Sequence, residues 1–230
     1  MLTMALATLM SIVMFDAKVS LSGDDCDYIL AADAFWHHFT FPGHHGSLYP
    51  IVLSPFVGLF GYRLVLLKFL SVLFTVGAFG FLYKAFERRI PSAVLIPSML
   101  LAAICSYIFF YAGYTYSEPL FMLLQSIYFY FFSRYFWVEG GTPSYTLRKD
   151  WKKYLTLGAL TLAMGLTREI GFCVIGVVIL YFAIKGRWKD LLYTVGAALL
   201  MLAAFYLVKA ILWPNVAAGH SFTNLMAKDY

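Results

Sequence analysis

The feature that most constrains this chain is a recurrence of apolar runs whose lengths approach the ~20 residues a helix needs to cross ~30 Å of hydrocarbon. They fall at about 1–15, 48–60, 62–84, 93–112, 119–137, 154–166, 170–184 and 191–213. The 230 residues are 62% hydrophobic and only 13% charged, whereas soluble domains carry about a quarter charged residues. Mean hydropathy is +0.77. The expected fold class is therefore all-α, a polytopic integral membrane protein forming a single module over 1–230.

Not every run is a full span. GSLYPIVLSPFVGLFG, at 46–61, carries Pro50, Pro55 and repeated glycines, which argue against one smooth spanning helix. It is expected at the membrane surface or dipping into it. The first run is short and lacks the basic n-region of a secretory signal, so it is read as a membrane helix, with a cleaved signal peptide as the alternative. With residues 1–15 running outward, Arg88 and Arg89, then Arg148, Lys149, Lys152 and Lys153, then Lys185, Arg187 and Lys189 all face the cytoplasm, as the positive-inside rule requires. One continuous helix over 154–184 would throw KGRWKD outside, so two short helices meeting at Arg168 and Glu169 are expected. About seven transmembrane helices result. Residues 16–47, the turn YAGYTYSEP at 111–119, TREIG at 167–171 and the tail after Pro214 then share the extracytoplasmic side, and 139–153 forms a cytoplasmic loop with linker character.

The formal net charge of +5 sits in short clusters between apolar runs, where topology accounts for it, and nucleic acid is not an expected partner. Cys26, Cys105 and Cys173 are odd in number, widely spaced and without a CxxC, so neither a disulfide framework nor a zinc knuckle is implied. Their default role is small apolar filler.

SGDDCDYILAADAFWHHFTFPGHHG, at 22–46, concentrates four aspartates and four of the five histidines. At about 100° per residue, Tyr28, Ile29, Ala32, Phe35, Trp36 and Phe39 form one apolar stripe with Asp33 and His37 opposite, which predicts an amphipathic helix lying in the interface. Ser22, Asp24 and Asp25 begin it. They suit N-cap positions, but a partly desolvated carboxylate at a water and lipid boundary also has its pKa pushed up and becomes a general base. In YTYSEPL, Pro119 suits a first helical turn and Glu118 the positive end of its dipole, while Tyr111, Tyr114 and Tyr116 fit either an interfacial belt or sugar stacking. Arg168 in TREIG is an intramembrane cation that calls for a partner. Glu169 could supply one locally, and a guanidinium also holds phosphate through two parallel hydrogen bonds. His37, His38, His44 and His45 match no helix-based zinc spacing, and sugar or phosphate hydrogen bonding is preferred to metal. Lys209 reads as a snorkelling lysine.

These residues in this order resemble the GT-C superfamily of membrane glycosyltransferases, particularly its protein O-mannosyltransferase and aminoarabinose transferase branch. The features are Asp24, Asp25 and Tyr28 opening an outer loop, the interfacial helix, Tyr49–Pro50, LFG at 59–61, SEPLF and LTREIG. The resemblance implies transfer of a sugar from a polyprenyl-phosphate donor to an acceptor hydroxyl, with inversion, at the extracytoplasmic face. Asp24 would be the catalytic base and Asp25 its neighbour in the pair. Arg168 would hold the donor phosphate, with Glu118, Tyr116, Tyr49, His44 and His45 on the substrate side. No cofactor is expected, with a divalent metal at the histidines as the alternative. The partners implied are the lipid-linked donor, membrane lipid and an unidentified acceptor. Superfamily members usually continue into further helices or a soluble domain, so the chain resembles their N-terminal seven-helix module and is expected to be a fragment, an inactive remnant, or half of a two-chain enzyme whose partner chain supplies the remainder.

Two other classes fit the same composition. A transporter or flippase of a lipid-linked solute would place broken helices and ionisable groups near the midplane, often in two related halves, whereas here the charges crowd toward one face and no repeat is evident. A non-catalytic scaffold subunit would retain the fold alone. Compact outer loops without an Asn-x-Ser/Thr sequon favour a prokaryotic cytoplasmic membrane with the site facing outward.

Overall fold

The computed structural model describes residues 2–18, 24–43, 46–137 and 147–214, and no strand occurs among them. The helices are α1 (Leu2–Val13), α2 (Asp25–His38), α3 (Leu48–Phe60), α4 (Leu64–Phe86), α5 (Ser92–Ala103), α6 (Ser106–Ala112), α7 (Ser117–Phe136), α8 (Leu147–Thr167), α9 (Val174–Ile184) and α10 (Trp188–Leu212), with a 3-10 turn over Glu169–Cys173.

Among the described residues, α4 and α10 are long and apolar enough to cross a membrane, with mean hydropathies of 2.1 and 2.2. The pair α5 and α6 adds a third if it is counted as one broken span. Only 11% of the apolar window of α10 is buried inside the protein. Its Leu192, Leu199, Leu207 and Ile211 stand exposed, a surface too large and apolar for water alone to cover comfortably. This is compatible with a membrane protein.

The run 93–112 is not one helix. Cys105 takes an extended backbone that stops the hydrogen-bond ladder of α5, and α6 leaves at 57°. The bend turns Phe109 and Ala112 into a core with Ala7, Phe79 and Met99, where Phe109 stacks on Phe79 at 6.0 Å. The expected linker at 139–153 is also shorter than its composition suggests, because α8 already runs from Leu147. Tyr154 and Leu157 anchor that early start against Phe136 and Phe182. The break expected at Arg168 is present. Arg168 is extended between α8 and the 3-10 turn, and the chain doubles back so tightly that a Cβ on Gly171 would come within 2.4 Å of the Met164 backbone.

Helices α4 and α7 pack side by side at the centre and run the same way. Lys68 lies beside Tyr114 at their starts, and Arg89 reaches Ser133 at their ends. A second core joins α2, α3 and the starts of α4 and α7 through Tyr28, Ile29, Tyr49, Leu53, Leu67 and Leu120. A third joins α7 to α8, α9 and α10. One end of the molecule thereby gathers the N-terminus of α2, the starts of α4 and α7 and the Arg168 break. The other gathers the basic turns that follow α4 and α9.

Candidate functional site

A helix forms over Asp25–His38, and its Tyr28, Ile29 and Ala32 are buried against α3 and α4, whereas Trp36 and Phe39 of the expected apolar stripe stay about half exposed. Trp36 lies over Gly58 of α3, where any Cβ would fall 2.2 Å from the indole, so that glycine lets the two helices meet. The helix ends at Phe39, a non-glycine residue in the left-handed region (φ 51°). Trp213, just beyond α10, donates to the Phe39 carbonyl at 2.6 Å. At the polar face, His37 Nδ1 lies 3.1 Å from the Asp33 carboxylate.

The two acids that open α2 have different surroundings. Asp24 occupies the N-cap position but makes no side-chain capping bond and stays exposed. Asp25 is 2% exposed, and its Oδ1 accepts the Thr115 backbone N–H at 2.6 Å while Oδ2 makes no hydrogen bond. Neither acid therefore acts as a side-chain cap. Burial pushes the Asp25 carboxyl above its ordinary range, and the Thr115 N–H and the Lys68 ammonium offset this only in part.

Lys68 is the functional candidate that sequence reasoning missed. It lies in LVLLKFLSVL, is fully buried, and its Nζ donates to the carbonyls of Asp16 (2.9 Å) and Lys18 (2.5 Å) while lying 5.0 Å above the Tyr114 ring. A lone cation inside an apolar run was the available signal.

The start of α7 joins this cluster to Arg168. Tyr28 donates its hydroxyl to Ser117 Oγ at 3.1 Å, and the next residue, Glu118, forms an ion pair with Arg168. The local Arg168–Glu169 pairing considered above is not the one found. The partner comes from a different helix, which fixes the guanidinium against α7. Burial raises the Tyr28 hydroxyl above its usual value, and the charges of Glu118, Asp24 and Arg168 all act on it. The acidic N-terminus of α2 and the Arg168 break thus lie around one tyrosine. The Arg168 and Glu118 side chains remain 41% and 27% exposed, so the pair lines a surface.

Tyr116, at the N-cap position of α7, stacks on Tyr114 at 5.4 Å. Tyr49 is not on the rim. It is fully buried beneath Tyr28, edge-on at 5.0 Å, so its ring has no face open to a sugar and serves to support Tyr28. Gly46 (φ 100°) passes against the end of α8, where a Cβ would meet the Thr167 carbonyl at 2.1 Å. His44, His45 and the tail from 215 lie outside the described residues. No group of three or more His, Cys, Asp or Glu side chains able to hold a metal ion occurs among the described residues.

No protein-family model, curated protein or solved structure matches the chain.

Proposed function

We propose that the chain is a multi-pass membrane glycosyltransferase module that moves a sugar from a polyprenyl-phosphate donor to an acceptor hydroxyl at its acidic end. The observation carrying this reading is the chain of contacts from the acidic start of α2, with Asp24 exposed and Asp25 buried, through the Tyr28–Ser117 hydrogen bond to the adjoining Glu118 and its half-exposed partner Arg168. An exposed carboxylate and a half-exposed guanidinium at one end of a molecule with apolar flanks support the reading of a base and a phosphate-holding cation beside a lipid donor.

In this reading, Asp24 takes the proton of the acceptor hydroxyl. The hydroxyl oxygen attacks the anomeric carbon as the carbon–phosphate-oxygen bond breaks, and the lipid phosphate leaves with the bonding electron pair. Attack opposite the leaving group inverts the centre. Arg168, oriented by Glu118, carries the charge that develops on the leaving phosphate. Asp25 positions the turn before α7 and is not the base, because both its burial and its bond to Thr115 remove it from an acceptor. The sequence resemblance to GT-C enzymes, the seven-span threading and an outward-facing site in a prokaryotic cytoplasmic membrane belong to the same proposal.

The test is sugar transfer from radiolabelled polyprenyl-phosphate donors in membranes carrying the full chain. Asp24→Asn and Arg168→Ala are each expected to lower turnover by about 10²-fold or more. Wild-type turnover in both variants, or no transfer by the wild-type chain with any such donor, overturns the reading.

A further inference from the structure

The opposite end of the molecule holds a basic cavity that the proposed chemistry does not use. Its volume is about 450 Å³, and it opens where α4 and α7 end together, lined by Lys84, Glu87, Arg88, Arg89 and Arg134. Tyr130 and Ser133 form its wall on α7.

Topology accounts for an excess of cations on this side, but not for the convergence of four of them, against one carboxylate, on a single concavity. Two helix C-termini present about −0.5 charge each, which answers roughly one of the four. The structure shows which one. Arg89 donates to the Ala85 carbonyl of α4 at 3.1 Å and to the Ser133 carbonyl of α7 at 2.6 Å, so it caps both helices at once. Its Nε is buried without a hydrogen-bond partner. Arg134 is steered by a 2.9 Å bond from Nη1 to the Tyr130 hydroxyl. Among the described residues, none of the four cations forms an ion pair, although Glu87 lines the same cavity. After Arg89 and Glu87 are set aside, Lys84, Arg88 and Arg134 remain as exposed donors converging on one concavity.

We infer that this cavity binds a phosphate-bearing anion, with Arg88 and Arg134 as its main ligands and Lys84 as a supporting charge. A concave site of this size suits a small headgroup, and with α4, a helix of membrane-spanning length, set across a bilayer, the cavity at its end would sit at headgroup depth. The anion comes either from a phospholipid headgroup or from free phosphate. The inference does not depend on glycosyl transfer at the other end.

The full chain in neutral detergent is titrated with short-chain phosphatidylglycerol, with phosphatidylcholine of equal chain length, and with inorganic phosphate, and binding is read by native mass spectrometry and thermal shift. The expected result is preference for phosphatidylglycerol over phosphatidylcholine, with affinity about tenfold lower in Arg88→Gln/Arg134→Gln. The control Lys185→Gln/Lys189→Gln leaves it unchanged. Inorganic phosphate binding with the same loss supports the site and identifies a soluble source, while phosphatidylglycerol binding alone identifies a lipid source. Equal affinity for the two lipids with no phosphate binding overturns the inference, as does an equal loss in the control. Melting of both double variants within a few degrees of wild type shows that any loss is not a folding defect. Should Arg88→Gln/Arg134→Gln fail to fold, Arg88→Gln alone takes its place, and wild-type affinity in that variant overturns the inference.

Discussion

Asp25 on α2 and Thr115 in the turn before α7 are 90 residues apart, and a 2.6 Å hydrogen bond from the Thr115 backbone N–H to Asp25 Oδ1 fastens the two segments together. The bond divides the labour of the Asp-Asp pair. One acid is spent on architecture inside the protein, and its neighbour is left at the surface.

Replacing Asp25 separates charge from hydrogen bonding. Asp25→Ala leaves a buried N–H without its acceptor and is expected to cost about 1–3 kcal/mol, whereas Asp25→Asn keeps an acceptor oxygen. The pH dependence has a definite sign. Because the folded-state pKa is raised, the native protein holds this proton more tightly than the unfolded chain does. Stability due to Asp25 is then highest at low pH and falls as pH rises from the ordinary value of 3.8 through its own higher one. Melting of the detergent-solubilised protein between about pH 4 and 8 should show that decline in wild type and not in Asp25→Asn. Identical profiles would mean that no buried charge is being formed.

Lys68 ties the segment after α1 to α4 through two carbonyls, and its field acts on Asp25. Lys68→Met removes both donated bonds and the balancing charge, with an expected loss of about 3–5 kcal/mol. In Lys68→Met/Asp25→Asn the carboxylate that needed the ammonium is also gone, so the double variant should lose less than the sum by about 0.5–3 kcal/mol. Strict additivity in chemical denaturation would show that the two groups do not interact.

Gly46 makes a tight approach between the first polar segment and the end of α8 beside the Arg168 break. Gly46→Ala places a methyl 2.1 Å from the Thr167 carbonyl at a φ of 100°, and should destabilise by more than about 3 kcal/mol. At Gly176 in α9 an added methyl would meet nothing within 4 Å, so Gly176→Ala should stabilise by about 0.5–1 kcal/mol through helix propensity alone. Comparable melting temperatures in the two variants would refute the close approach.

Helix positions are legible wherever apolar runs are bounded by charges or prolines. Arg168 as a break is readable because charge distribution, not hydropathy, demands two helices. The bend at Cys105 is not, since IPSMLLAAICSYIFF carries no charge or glycine there and the turn is enforced by Phe109 stacking on Phe79. Within the site, residue types and their grouping are readable and partners are not. Glu118 finds Arg168, and Asp25 finds Thr115, through packing of α2, α7 and α8, which no local spacing encodes. Lys68 escapes a reading by hydropathy because its neighbours are so apolar that the run looks unbroken. Tyr49, expected on the substrate side, is buried because it lies in the first turn of α3 on the face that carries Leu53 and Val57 into the core.

The two-ended arrangement makes a prediction about sidedness. Cys26 is exposed on α2 at the acidic end, and Lys189 is exposed at the start of α10 at the basic end. The 25 residues of α10 rise about 38 Å at 1.5 Å per residue, more than the ~30 Å of a hydrocarbon core. With Cys105 and Cys173 replaced by serine, a membrane-impermeant maleimide applied to intact cells should label Cys26. A cysteine introduced as Lys189→Cys, in a chain also carrying Cys26→Ser, should label only after permeabilisation. Labelling of both from outside would place the two ends on one side of the membrane, and neither the positive-inside threading nor a lipid-donor site at the acidic end would survive it.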